Sequence, residues 1–147
     1  MSESFTVKLQ WNSSNEFVYD KFSRDHDLTL SQDQHLHASS AASYLGNSKM
    51  TNPEELLTSA LASCHMLTFL AIASKSGYTI ESYLDNPEAL LDKNEEGKLS
   101  ITTINLKPEV VFKEDKIPSP EQLKSLHEKA HRNCFIANSI KTHVNIL

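Results

Sequence analysis

Two thiols hold most of the chemistry that this 147-residue chain could perform. Cys64 and Cys134 are its only cysteines, and each sits in a segment that opens like a helix. Asn52-Pro53-Glu54-Glu55 precedes Cys64-His65, and Ser119-Pro120-Glu121-Gln122 precedes Cys134. A thiol becomes a nucleophile or a soft metal ligand only as the thiolate. Three uses are therefore open: a small buried hydrophobe, a metal ligand, or a redox centre. For metal, His127, His131 and Cys134 fall at i, i+4 and i+7 on one helical face, and His35 and His37 share one face of a strand. Against metal, two cysteines with no paired-cysteine motif cannot close a tetrahedral sulfur site. The plainer reading of His127 and His131 is a partly exposed face of an amphipathic helix. No metal and no cofactor is expected.

Composition narrows the setting. Hydrophobic residues make up 39% and charged residues 22%, the balance of an ordinary folded domain. A formal charge of -5 argues against nucleic acid or an anionic membrane as partner, since both call for a basic footprint. Met1-Ser2-Glu3-Ser4-Phe5 has no basic stretch followed by an apolar run, so no secretory signal is expected and a cytoplasmic location is. In that compartment a conditional, catalytic disulfide is expected before a structural one. Leu56 to Ser74 lacks charge and approaches a membrane-spanning length. It also contains Thr58, Ser59, Ser63, His65, Thr68 and Ser74, which suits a helix buried within its own protein better.

The elements that would position the thiols follow from periodicity. Phe5, Val7, Leu9 and Trp11 alternate with polar residues, predicting a first strand with one apolar face. Asn12 to Asn15 reads as a turn, Phe17 and Tyr19 as the start of a second strand, and Leu28 to Ala38 as a third extended segment. Ala41 to Met50 reads as a loop. Thr51 or Asn52 can cap the first helix, Pro53 suits its first position, Glu54 and Glu55 suit its positive end, and Gly77 stops it. Tyr78 to Leu84 is expected as a strand, Asp92 to Lys98 as a charged hairpin turn, and the alternations from Leu99 and from Leu106 to Phe112 as a strand pair. Ser119 and Gln122 make a capping box for the second helix, and Val144 and Ile146 suggest a last strand.

Leu123, Leu126, Ala130 and Cys134 form one inward stripe on the second helix. Leu57, Leu61, Cys64, Thr68 and Ala71 form one on the first, with Leu56, Leu67 and Leu70 covering another face. A helix apolar on two faces needs more cover than one small sheet supplies, and a homodimer is the simplest source. The expected fold is α+β: an antiparallel sheet with a long buried helix and a second helix, in one domain over residues 1–147.

The run from Asn52 to His65 closely resembles the signature helix of the OsmC/Ohr family of thiol peroxidases. Ala130-His131-Arg132-Asn133-Cys134-Phe135-Ile136-Ala137-Asn138-Ser139 resembles that family's second cysteine motif. The resemblance extends over nearly the whole chain. It implies an intertwined homodimer and a peroxidase that reduces organic hydroperoxides to alcohols. Cys64 would be the nucleophile, oxidised to a sulfenic acid, and Cys134 the resolving thiol that closes a disulfide, later opened by a thiol or dithiol reductant. The family's arginine maps to Arg24, within Ser23-Arg24-Asp25-His26, and its glutamate to Glu54, directly after Pro53. A guanidinium would favour the thiolate and polarise the peroxide oxygens, and a carboxylate would orient it. The chain departs from the family at Phe135, where many members have proline. The alternatives are a metal-binding protein and a non-catalytic relative of the same fold.

Overall fold

Residues 1–13 and 16–147 are described by a computed structural model of the chain. Ser14 and Asn15, half of the expected first turn, lie outside the described residues. The chain divides into two compact units, Met1–Leu56 and Leu57–Leu147.

In the first unit, β1 (Val7–Gln10), β2 (His26–Leu30) and β3 (Gln34–Ala38) form an antiparallel sheet in that order. Val7 pairs with Leu30, and Leu28 pairs with Leu36. The third extended segment of the sequence reading is thus a hairpin. Ser31 turns the chain with a left-handed φ of 54°, inside a polar three-residue loop that a continuous strand would have had to keep extended. The strand expected at Phe17 and Tyr19 is absent. The amides of Lys21 and Phe22 instead return to the Val18 carbonyl. Aromatic packing folds this segment on itself: Trp11 and Phe17 rings are centred 5.7 Å apart, and Phe17 and Phe22 5.0 Å apart. The loop before the first long helix contains one 3-10 turn, Ala42–Tyr44.

Helix α1 (Pro53–Lys75) starts where the sequence places it. Asn52 caps it: its side-chain oxygen accepts from the Glu55 amide at 2.9 Å, and its amide group donates to the Glu55 carboxylate at 2.8 Å. Gly77, at a φ of 82°, ends it with the amides of Gly77 and Tyr78 closing onto the Ser74 and Ala73 carbonyls.

In the second unit β4 (Ile80–Leu84) pairs antiparallel with β7 (Glu109–Phe112). A second sheet takes the order β5 (Glu88–Lys93), β6 (Leu99–Leu106), β8 (His143–Ile146). β5 and β6 are antiparallel, and β8 joins β6 in parallel. The expected charged turn tightens to Asn94–Lys98, where the Asn94 side chain accepts from the amides of Glu96 and Lys98. Residues 99–112 do not form a strand pair with each other: β6 pairs with β5, and β7 pairs with β4 across the unit. Helix α2 (Pro120–Asn133) carries the expected capping box, Gln122 amide to Ser119 hydroxyl at 3.2 Å and Ser119 amide to Gln122 side chain at 2.8 Å.

Two clusters form the core of this unit. Leu61, Ile104, Leu106 and Cys134 make one, and Phe69, Ala73, Leu126 and Ala130 the other. The buried face of α1 is therefore Thr58, Leu61, His65, Phe69 and Ala73. Of the stripe expected from sequence, only Leu61 belongs to it. Phe69 and His65 bring more volume to the core than Thr68 and Ala71 could, so the helix turns that line inward and leaves Cys64 at its margin, half-buried. α1 is long and apolar enough to cross a bilayer by length and composition, yet it packs in this unit as a core helix.

Candidate active site

Cys64 lies midway along α1, where a continuous helix holds its backbone rigid. Cys134 is fully buried and is not a helical residue; it caps α2 in an extended conformation, with φ -75° and ψ 115°. The chain then folds back into a second 3-10 turn, Ala137–Ser139. The fold-back returns amides to Cys134: Ala137 N–H donates to its Sγ at 3.4 Å, and Asn138 N–H donates to its carbonyl at 3.0 Å. The two thiols are unbonded and face each other within hydrogen-bonding reach.

Their electrostatics differ. Burial pushes the Cys64 thiol up, but donors overcome it: the Ile136 amide, then the Cys134 thiol, the Phe135 amide and the Thr68 side chain, so Cys64 ends below its ordinary value. The single Thr68 hydroxyl proton is shared between that sulfur and the Cys64 carbonyl, 2.8 Å from the hydroxyl oxygen in the common back-bond of a helical threonine. Burial pushes Cys134 up, and the charge that Cys64 acquires pushes the same way against the Ala137 and Ile136 amides. The pair is polarised: the α1 side favours the thiolate more than an ordinary cysteine does, and the α2 side favours it less. That is the arrangement for one sulfur to attack and the other to follow. A groove of about 750 Å³ opens at Cys64, lined by apolar Leu67, Ala71, Ile72, Phe135 and Ile136 together with Ser63, Thr68, Lys75 and Asn133.

Of the four site residues expected from sequence, the structure brings Cys64 and Cys134 together. Arg24 and Glu54 belong to the first unit. Arg24 is not a loose surface cation. Its guanidinium donates to the Phe22 carbonyl at 2.6 Å and to the Tyr19 carbonyl, and lies 3.5 Å from the centre of the Phe22 ring. With Leu9, Trp11, Phe17, Phe22 and His26 it lines a pocket of about 400 Å³. Glu54 is half-buried in the first turn of α1, at the positive end of the helix dipole.

The expected histidine face does not hold. His127 is buried and turned to His65, with His65 Nε2 3.1 Å from His127 Nδ1. Cys134 leaves the helix at the cap, which takes it off the i, i+4, i+7 line, and it faces Cys64 instead. Among the described residues no three histidine, cysteine or acidic side chains gather as a metal-ligand set. The His65–His127 pair is the feature that sequence reasoning missed. Its signal was present: His65 stands four residues from both Leu61 and Phe69, on the stripe that the core selects.

A family model described as OsmC-like protein matches residues 46–147. An OsmC-like protein of unknown function from Vibrio cholerae O1 biovar eltor str. N16961 matches in structure with a TM-score of 0.92 at 38% identity, covering 100% of this chain and 99% of its own. The uncharacterized protein YmaD of Bacillus subtilis (strain 168) is 29% identical over 102 residues, 69% of this chain and 67% of that protein. An organic hydroperoxide resistance protein OsmC from Legionella pneumophila shares the fold at a TM-score of 0.73 and 17% identity, over 98% of this chain and 93% of its own.

Proposed function

The chain belongs to the OsmC-like protein family, and on that premise we propose that it is a thiol-dependent peroxidase that reduces organic hydroperoxides to alcohols. One observation carries the reading: two facing thiols, of which the one on the groove is biased toward the thiolate and its buried neighbour toward the thiol.

The Cys64 thiolate attacks the distal oxygen of ROOH. The O–O bond breaks, Cys64 becomes a sulfenic acid, and the alkoxide leaves as ROH after taking a proton. The Cys134 sulfur then attacks the sulfenic sulfur, a Cys64–Cys134 bond forms and water leaves. The peroxide has gained two electrons and the thiols have lost two. A dithiol reductant, or two thiols, restores the pair by exchange. In the roles the resemblance implies, Arg24 polarises the peroxide oxygens and Glu54 orients the guanidinium. The largely apolar lining of the groove supports bulky organic hydroperoxides over hydrogen peroxide, because burying apolar area on binding is favourable by about 25 cal/mol per Å².

The reading includes a cytoplasmic homodimer. The apolar face of β1 supports it, since Val7 and Leu9 stay 65% and 64% exposed in the single chain. Leu67, on the groove side of α1, is also exposed.

The test is turnover of a cumene-type hydroperoxide with a dithiol reductant. Cys64→Ser is expected to abolish it. Cys134→Ser is expected to consume one equivalent, retain one added oxygen by mass and stall without external thiol. Full turnover by Cys64→Ser, or a higher kcat/KM for hydrogen peroxide than for the organic one, overturns the nucleophile or the substrate class respectively.

A further inference from the structure

The core of the second unit holds a second heteroatom pair that the proposed chemistry does not use. His65 is 1% exposed and His127 7%. Their rings lie nearly parallel, 7° apart, with centroids 5.3 Å apart, and the Phe69 ring stacks on His127 at 4.3 Å. Each imidazole is on a helix that also carries a thiol at or near it: His65 follows Cys64 directly on α1, and His127 lies on α2, whose C-cap is Cys134.

A hydrogen bond between two neutral imidazoles takes one donor and one acceptor. Among the described residues His65 Nδ1 is buried with no partner. A proton there would strand a buried N–H, the rarer defect in folded proteins, whereas a bare lone pair is tolerated more often. The proton therefore belongs on His65 Nε2, which donates to His127 Nδ1. Burial, foremost, holds both imidazoles neutral, and His65 is pushed the same way by His127 and by His131 one turn further along α2.

The surrounding contacts, Phe69 and Ala73 against Leu126 and Ala130, are apolar and non-directional, so they hold α2 by shape alone. A nitrogen-to-nitrogen hydrogen bond adds a set distance and direction. We propose that His65 and His127 are positioning residues for the dithiol site: their bond sets the register of α2 against α1, and with it the place of the Cys134 sulfur relative to Cys64. The inference rests on reading the two cysteines as a redox pair.

Two near-isosteric variants separate register from bulk. His127→Asn places an acceptor where Nδ1 stands; His127→Gln places its amide where Nε2 stands and cannot reach His65. Diamide, a two-electron thiol oxidant, replaces hydroperoxide, and the rate of Cys64–Cys134 closure is read by loss of iodoacetamide-reactive thiol. His127→Gln is expected to close about tenfold more slowly or worse, as small misplacements of reacting atoms do, while His127→Asn stays near the unmodified rate. Equal rates in unmodified chain and His127→Gln, or equally slow Asn and Gln variants, overturn the proposal. Should neither variant fold, nitrogen-15 spectra of the unmodified chain decide: a protected proton on His65 Nε2 is expected, and a proton on Nδ1 overturns it. A chain that closes with diamide in this histidine-dependent way but ignores hydroperoxides loses the peroxidase reading and keeps the positioning pair.

Discussion

Cys64 and Cys134 lie seventy residues apart in the chain and face each other in the fold with opposite electrostatics, the first below and the second above an ordinary thiol. The difference comes from the backbone that follows Cys134. Because α2 ends at Asn133, the next amides are free of helical partners and are spent on sulfur: Phe135 and Ile136 on Cys64, Ala137 on Cys134. An amide donor to a thiolate is a charge-assisted hydrogen bond, about twice as strong as a neutral one.

Removing these donors should raise Cys64. Cys134→Ala takes away a thiol donor, and Phe135→Pro takes away an amide N–H. Each is expected to move the pH profile of Cys64 alkylation to higher pH, since a donor to the charged sulfur is lost. Alkylation rates with iodoacetamide between pH 5 and 10 measure it, and an unmoved profile in both variants would remove these groups as the cause.

Acid should weaken the second unit through its imidazoles. His65 and His127 are pushed down to about 4, mainly by burial, from an ordinary value of 6.5. Above pH 6.5 neither state takes up the proton and the pair contributes no pH dependence. As pH falls from 6.5 to 4 the unfolded chain binds protons that the folded chain refuses, so stability drops, by up to a few kcal/mol, and levels off below 4. Urea unfolding at pH 7.5 and pH 4.5 reads the loss. His127→Asn is expected to show a smaller drop.

Leu61 tests the floor of the site. It is fully buried in the cluster that includes Cys134, with Cys64 packed against it. Leu61→Ala should cost about 2–5 kcal/mol, since the surrounding core collapses only partly into the cavity. Thermal unfolding gives the stability loss; a loss below about 1 kcal/mol would mean that the cluster is not a packed core.

Ser40 and Gly46 give a backbone test in the first unit. A Cβ on Gly46 would come within 1.6 Å of the Ser40 carbonyl oxygen, so the loop must move to admit it. Gly46→Ala is expected to lower the melting temperature by several degrees or more, as differential scanning calorimetry would show.

β1 tests the assembly. Val7→Asp puts a charge on the exposed apolar face of that strand without touching either cysteine. In light scattering the unmodified chain is expected near twice the 16.5 kDa chain mass, and the variant near the chain mass itself. A variant that stays at twice the chain mass would place the interface elsewhere.

Much of this was legible in the residues alone. Both helix starts, the Gly77 stop and the capping box at Ser119 are local events, decided by side chains within four positions of the backbone groups they satisfy. The two cysteine motifs and the family likeness were legible for the same reason. What sequence reasoning misplaced was non-local. The strand expected at Phe17 lost to packing among Trp11, Phe17 and Phe22, and the inward stripe of α1 was set by which line carried Phe69.

By itself the sequence determined which residues could do chemistry, on which helices, and where those helices begin. Only the tertiary structure decided that Cys134 would leave its helix and face Cys64, that backbone amides would polarise the pair, and that His65 would bond His127. Helix capping is governed by groups a few residues apart. The meeting of two sulfurs or two imidazoles depends on how helices pack, and that is set by the summed volume and shape of the whole core.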